Sequence, residues 1–135
     1  MPTWMLDTSV CVAALRNQAS GIRERLVSGT NGIIAISAIV AAELRLGVAK
    51  AGRRRQDEIA LRKFLGSVPS LDWPSAAASM YAALRSQLES TGQVIGALDM
   101  LIAAHALHEK ATLVTDNVRE FSRVRGLRVE NWMRR

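Results

Sequence analysis

Cysteine is nearly absent: Cys11 stands alone in a chain of 135 residues. An internal disulfide is excluded, and with no Cys or His nearby at zinc-ligand spacing the thiol is expected to be buried and inert. Aromatic residues make up only 4% of the chain, too few for the stacked platforms on which single-strand binders hold bases. Trp4, Trp73 and Trp132 are expected in core or dimer contacts instead. No apolar run approaches the roughly 20 residues that span a bilayer, and Met1 to Asp7 lacks the basic start and apolar stretch of a signal peptide. A cytoplasmic protein with no membrane partner is the expectation. Three prolines, no repeat and no low-complexity tract leave no linker, so residues 1–135 are expected to form a single domain.

What is present is ordinary globular material, 49% hydrophobic and 22% charged. The net charge of +6 favours an anionic partner through long-range steering. The basic residues are unevenly spread. Arg45, Lys50, Arg53, Arg54, Arg55, Arg62 and Lys63 crowd the middle, while Arg119, Arg123, Arg125, Arg128, Arg134 and Arg135 crowd the end. Two such regions suit a phosphate backbone, although solvated helix and tail surfaces would have the same composition.

Short apolar runs alternate with helical stretches. Trp4 to Leu6 reads as a strand, and Asp7-Thr8-Ser9 then supplies capping side chains for a helix through Leu15. A helix is expected over Ile22 to Val27, a strand over Ile33 to Ile36, and a helix capped by Ser37 reaching about Ala49. Further helices are expected from about Arg54 to Leu65, from Pro74 as a first helical position to Glu89 with Gly92 ending it, and over Ala97 to Glu109. Strands are expected near Val68 to Leu71, at Thr112 to Val114 and at Arg128 to Glu130. Buried strands that alternate with helices imply a mainly parallel sheet covered on both faces, because parallel strands need crossover connections. The expected class is α/β, doubly wound.

In such sheets ligands bind beyond the carboxyl ends of the strands. Asp7 and Asp116 both follow a strand. Glu43 and Asp99 each interrupt a largely apolar helix, in Ile39-Val40-Ala41-Ala42-Glu43-Leu44 and Ala97-Leu98-Asp99-Met100-Leu101-Ile102. A carboxylate on such a face must be protonated, paired or metal-bound, and neither face offers a base in register. Singly, Asp7 also suits a helix cap, Asp99 a first-turn acid and Asp116 a turn former, while Glu43 has no such simple structural role. Four acids on one rim with no basic partner fit hard divalent cations, Mg²⁺ or Mn²⁺, which can activate water for attack on a phosphodiester.

The stretches Met5 to Ser9, Ile36 to Leu44, Ile95 to Ala106 and Leu113 to Phe121 resemble, in order and separation, those of PIN-domain endoribonucleases, and among them the VapC toxins of bacterial toxin–antitoxin pairs. The resemblance implies a three-layer α/β/α sandwich with a central sheet of four to five strands. It implies Asp7, Glu43 and Asp99 as the metal-binding and catalytic core, with Asp116 as fourth member and Asn117 as its rival. It implies Mg²⁺, replaceable by Mn²⁺, an RNA substrate with tRNA foremost, a homodimer, and a VapB-type antitoxin, with a larger complex on operator DNA. Thr8, Ser9, Ser37, Thr115 and Asn117 match polar positions beside the acids and are expected to orient them, with capping as the equal alternative.

Two other readings remain. A receiver-type signalling module shares the size and strand–helix alternation but needs paired acids after its first strand and a Lys after its last, where this chain has Asp7-Thr8-Ser9 and no Lys. A housekeeping nuclease of the same fold, acting on ribosomal RNA or DNA, would carry the same acids. His105 and His108 are general-base candidates by chemistry, but His105 lies more than a turn beyond Asp99 and reads as structural.

Overall fold

The computed structural model describes residues 3–16, 22, 24–26 and 32–133. Five strands form one sheet: β1 (Thr3–Leu6), β2 (Ile33–Ser37), β3 (Ser70–Leu71), β4 (Thr112–Val114) and β5 (Arg128–Glu130). Their order is β3-β2-β1-β4-β5 and every pairing is parallel. Met5 sits at the centre, in register with Ala35 on one side and Leu113 on the other. The interior strands are largely apolar, with a polar residue only at one end of each, because both of their faces are covered.

The helices are α1 (Thr8–Leu15), α2 (Ala38–Lys50), α3 (Arg54–Ser67), α4 (Ala77–Ser90), α5 (Ala97–His108) and the single turn α6 (Val118–Phe121). Of the helix expected over Ile22 to Val27, Ile22 and Glu24, Arg25 and Leu26 are helical, and the other positions lie outside the described residues. The core gathers Met5, Leu6, Ile36, Val40, Leu88, Met100, Ile102, Leu113 and Phe121. Cys11 is buried there, and burial, with a smaller contribution from Asp7, pushes its thiol far up, as an inert group requires. Trp132 is buried against Trp4, and the Trp73 indole N–H donates to the Leu101 carbonyl at 2.9 Å. No helix among the described residues is long and apolar enough to cross a membrane.

Two boundaries differ from the sequence reading. Helix α4 begins at Ala77, not Pro74: Ala77 and Ala78 donate to the carbonyls of Pro74 and Ser75, so Pro74 opens a tight turn before the helix. Strand β3 is only two residues long, since Val68 is consumed as the C-cap of α3. The end of α4 follows expectation. Gly92 takes φ +67°, Gln93 N–H reaches the Leu88 carbonyl and Gly92 N–H that of Glu89, a Schellman termination that needs the left-handed residue.

The strand order places the site. From β1 the chain steps to β2 and β3 on one side, then returns to β4 and β5 on the other. The reversal falls between β1 and β4, and a crevice opens where their carboxyl ends diverge. Asp7 follows β1 and Thr115-Asp116 follow β4.

Candidate active site

An open cleft of about 490 Å³ at this reversal is lined by Asp7, Thr8, Ser9, Glu43, Asp99, Asp116 and Asn117. All four acids expected from the sequence therefore meet, and no basic side chain lines the cleft among the described residues.

Asp7 is the most deeply held. Its backbone N–H continues the sheet to the Val114 carbonyl at 2.8 Å, and its carboxylate caps α1 by accepting from Thr8 N–H at 2.8 Å. The other oxygen accepts from Thr115 Oγ1 at 2.7 Å, joining the ends of β1 and β4 through one buried bond. Burial pushes the Asp7 carboxyl up; the bonds from Thr115 and Thr8 oppose this, and Glu43 and Asp116 add to it. Thr115 serves Asp7 and also accepts from Asn117 N–H at 3.0 Å, which turns the chain into α6.

Glu43 accepts a short hydrogen bond from Thr8 Oγ1. Glu43 is half-buried, as its apolar setting implied: Ile39, one turn before it, packs against the core, while Leu46, one turn after it, is 57% exposed. What holds Glu43 is a hydroxyl from another element.

Asp99 stands in the first turn of α5, after the N-cap Gly96. Among the described residues no side chain donates a hydrogen bond to it. Burial, then the charges of Asp7, Glu43 and Glu120, push its pKa up to about 6. Gly96 makes this placement possible, since a Cβ there would lie 3.0 Å from Asp99 Oδ2.

Asp116 is exposed and accepts from Ser9 Oγ at 2.8 Å. Ser9 has one proton, and its 3.4 Å approach to Asp7 is the weaker option. Asn117 lines the same cleft but sends its amide N–H to Glu120 Oε1 at 3.0 Å. Thr8, Ser9 and Thr115 thus touch the acids as expected. Ser37 does not. Its hydroxyl lies 2.8 Å from His105 Nδ1 and accepts from Ile39 N–H, because Ser37 ends β2 facing the core and caps α2. Glu120 is the residue the sequence reading passed over, an acid within the Val118 to Phe121 turn that bears on Asp99. Its signal was its place three residues beyond Asn117.

The donor set is oxygen-rich and negatively charged, which suits a hard divalent cation and suits little else. Among the described residues no three His, Cys, Asp or Glu side chains stand close enough together to hold a metal ion as they are placed, so the acids would have to draw in around one. A cation accepted here would keep water in part of its shell, as Mg²⁺ commonly does.

Comparison with known proteins agrees with this geometry. The PIN domain family matches residues 4–127. Ribonuclease VapC2 of Rickettsia felis is 42% identical over 96% of this chain and 97% of its own. The tRNA(fMet)-specific endonuclease VapC of Shigella flexneri is 34% identical over 98% of this chain and 99% of its own. Among solved structures, VapBC2 from Rickettsia felis bound to a promoter DNA fragment superposes with a TM-score of 0.92 at 40% identity, covering 96% of this chain and 98% of that one. The DNA-bound VapBC of Salmonella typhimurium gives 0.91 at 33% identity, covering 98% of this chain and 99% of that one. With its parallel five-stranded sheet and its acids gathered at the sheet's reversal point, the chain belongs to the PIN domain family, in its VapC branch.

Proposed function

We propose that this protein is a cytoplasmic, divalent-metal-dependent endoribonuclease, the toxin of a toxin–antitoxin pair, which cuts tRNA and so arrests translation. The observation that carries the reading is the convergence of Asp7, Glu43, Asp99 and Asp116 on one cleft without a basic partner. Asp7, Glu43 and Asp99 would hold Mg²⁺ or Mn²⁺, with Asp116 or Asn117 completing the set. The ion supplies a water acidic enough to attack at neutral pH and neutralises charge on the phosphate.

The chain's own residues do the rest. Thr115 and the Thr8 N–H fix the Asp7 carboxylate, and the Thr8 hydroxyl fixes Glu43, so two acids are oriented before any ligand arrives. The open cleft admits a phosphodiester from solvent. Exposed Arg45, Arg55, Arg62, Lys63 and Arg119 supply sequence-independent attraction for the backbone. Others are partly spent within the fold: Arg54 donates to the Ala49 carbonyl and Arg128 to that of Lys110. Arg134 and Arg135 lie outside the described residues.

The tRNA preference is supported by the names of the Shigella and Salmonella relatives. Neutralisation by a VapB-type antitoxin, with assembly on operator DNA, is supported by the toxin–antitoxin complexes among the similar structures. Exposed Leu46, Ile59 and Met80 leave apolar surface for the antitoxin and for a second copy in a homodimer. Incubating the purified protein with total RNA and duplex DNA, with Mg²⁺, Mn²⁺ or chelator, tests the reading. Metal-dependent cuts mapping to tRNA, lost in Asp7→Asn and Asp99→Asn, are expected. Cleavage confined to DNA, or full activity in Asp99→Asn, overturns it.

A further inference from the structure

His105 is fully buried on α5, one of two histidines in the chain, and takes no part in the chemistry proposed above. Its Nδ1 lies 2.8 Å from the hydroxyl of Ser37, which is also fully buried. That hydroxyl already accepts from Ile39 N–H at 3.1 Å, so its single proton is free to be donated to the ring. Burial holds His105 below its ordinary pKa, so the ring is neutral and carries one N–H. With Nδ1 accepting from Ser37, the proton belongs on Nε2, which has no hydrogen-bond partner among the described residues and faces the Glu109 carboxylate at 3.7 Å. A buried polar link therefore runs from the Ile39 N–H in the first turn of α2 through the Ser37 hydroxyl to His105 on α5.

Its position relative to the acids gives it consequence. Glu43 follows Ser37 by six residues along α2, and Asp99 precedes His105 by six along α5. Each acid stands about 9 Å of helix rise from the same buried bond. Helices are stiff over that length, and among the described residues no side chain or backbone N–H donates a hydrogen bond to the Asp99 carboxylate to place it. We propose that the Ser37–His105 bond is a positioning bridge that sets the spacing of Glu43 and Asp99, and through it the affinity of the cleft for a divalent cation. Neither residue touches the cleft. A hydroxyl at 37 and an acceptor at 105 are what the bridge requires; an apolar pair would fill the space without fixing the register of the two helices. The proposal rests on the metal-site reading given above.

The test pairs disruptive with conservative variants. His105→Leu keeps the volume without the acceptor, whereas His105→Asn presents an amide near the place of Nδ1; Ser37→Ala and Ser37→Thr divide the same way. Calorimetric Mn²⁺ titration is expected to show about tenfold weaker binding in His105→Leu and Ser37→Ala, with substantial recovery in His105→Asn and Ser37→Thr. Ser37→Ala/His105→Leu is expected to be no worse than either single variant, because both remove one bond. At saturating metal kcat for RNA should fall while KM stays near the parent value. Without metal, backbone amide NMR shifts around Asp7, Glu43 and Asp99 should move in His105→Leu and return in His105→Asn. A folded His105→Leu that leaves those shifts and Mn²⁺ affinity unchanged overturns the bridge. Failure of the parent protein to bind Mn²⁺ would instead sink the metal reading, and the amide shifts would still decide the bridge.

Discussion

The Thr8 hydroxyl donates to Glu43 across 35 residues of sequence, tying the first turn of α1 to the middle of α2. One element thereby orients two acids, because the Thr8 backbone N–H is also the donor that fixes Asp7. Thr8→Val keeps the shape and removes the hydroxyl, leaving Glu43 free to turn into solvent. Divalent-metal affinity is expected to fall about tenfold, and Thr8→Ser to retain most of it. Mn²⁺ titration of the three proteins checks this.

Asp99 carries a cost in stability that follows from its surroundings. Its folded pKa of about 6 lies above that of the unfolded chain, so the ionised form opposes folding. The penalty is fully present above pH 6 and disappears as pH falls through 6 towards the ordinary carboxylate range. Allowing for solvent screening at this half-buried group, it amounts to about 1 kcal/mol at pH 7.5. Asp99→Asn is therefore expected to abolish cleavage yet raise Tm by about 3 °C at pH 7.5, with the advantage shrinking as pH falls from about 6 to about 4. Thermal melts of both proteins across that range read the difference directly. A metal must displace the same proton, so apparent Mg²⁺ affinity should fall about tenfold per pH unit below 6.

The sheet was legible because strand and helix periods alternate clearly, and the switch-point rule then put Asp7 and Asp116 on one rim. Glu43 and Asp99 were legible as acids in apolar surroundings, and both are half-buried, although Leu46, one turn after Glu43, faces solvent. Thr8 and Thr115 were legible as polar neighbours of the acids, but which partner each hydroxyl takes was not. Thr8 to Glu43, Thr115 to Asp7 and Ser37 to His105 join residues 35, 108 and 68 positions apart, and no local pattern encodes which hydroxyl meets which partner. Ser37 shows the difficulty. A serine that ends a strand beside an acid-bearing helix looks the same in sequence whether it faces the cleft or the core.

Gly96 is the N-cap of α5 and the closest backbone to Asp99. A methyl group there would meet Asp99 Oδ2 at 3.0 Å and Cγ at 3.5 Å, closer than an unstrained contact, so the carboxylate must give by a few tenths of an ångström. Metal and catalytic sites tolerate displacements of only about 0.5 Å. Gly96→Ala is expected to lower kcat about tenfold with little change in KM, and to cost no more than about 1 kcal/mol through the poorer cap. Steady-state kinetics beside a denaturant melt separate the two effects.

The fourth member of the acidic set can be decided between neighbours. Asp116 is exposed and, among the described residues, held only by Ser9, while Asn117 lines the same cleft with its amide N–H committed to Glu120. A charged group that can swing on one hydroxyl suits an outer ligand or a group holding a bound water; an amide anchored to Glu120 suits shaping the turn into α6. At saturating Mn²⁺, Asp116→Asn is expected to reduce kcat about tenfold, less than Asp99→Asn, and Asn117→Ala less again. Ser9→Ala should resemble a mild form of Asp116→Asn, because it frees that carboxylate without removing its charge. Were Asn117→Ala the costlier of the neighbouring pair, the role would pass to Asn117, and Glu120, which holds its amide, would become the next residue to vary.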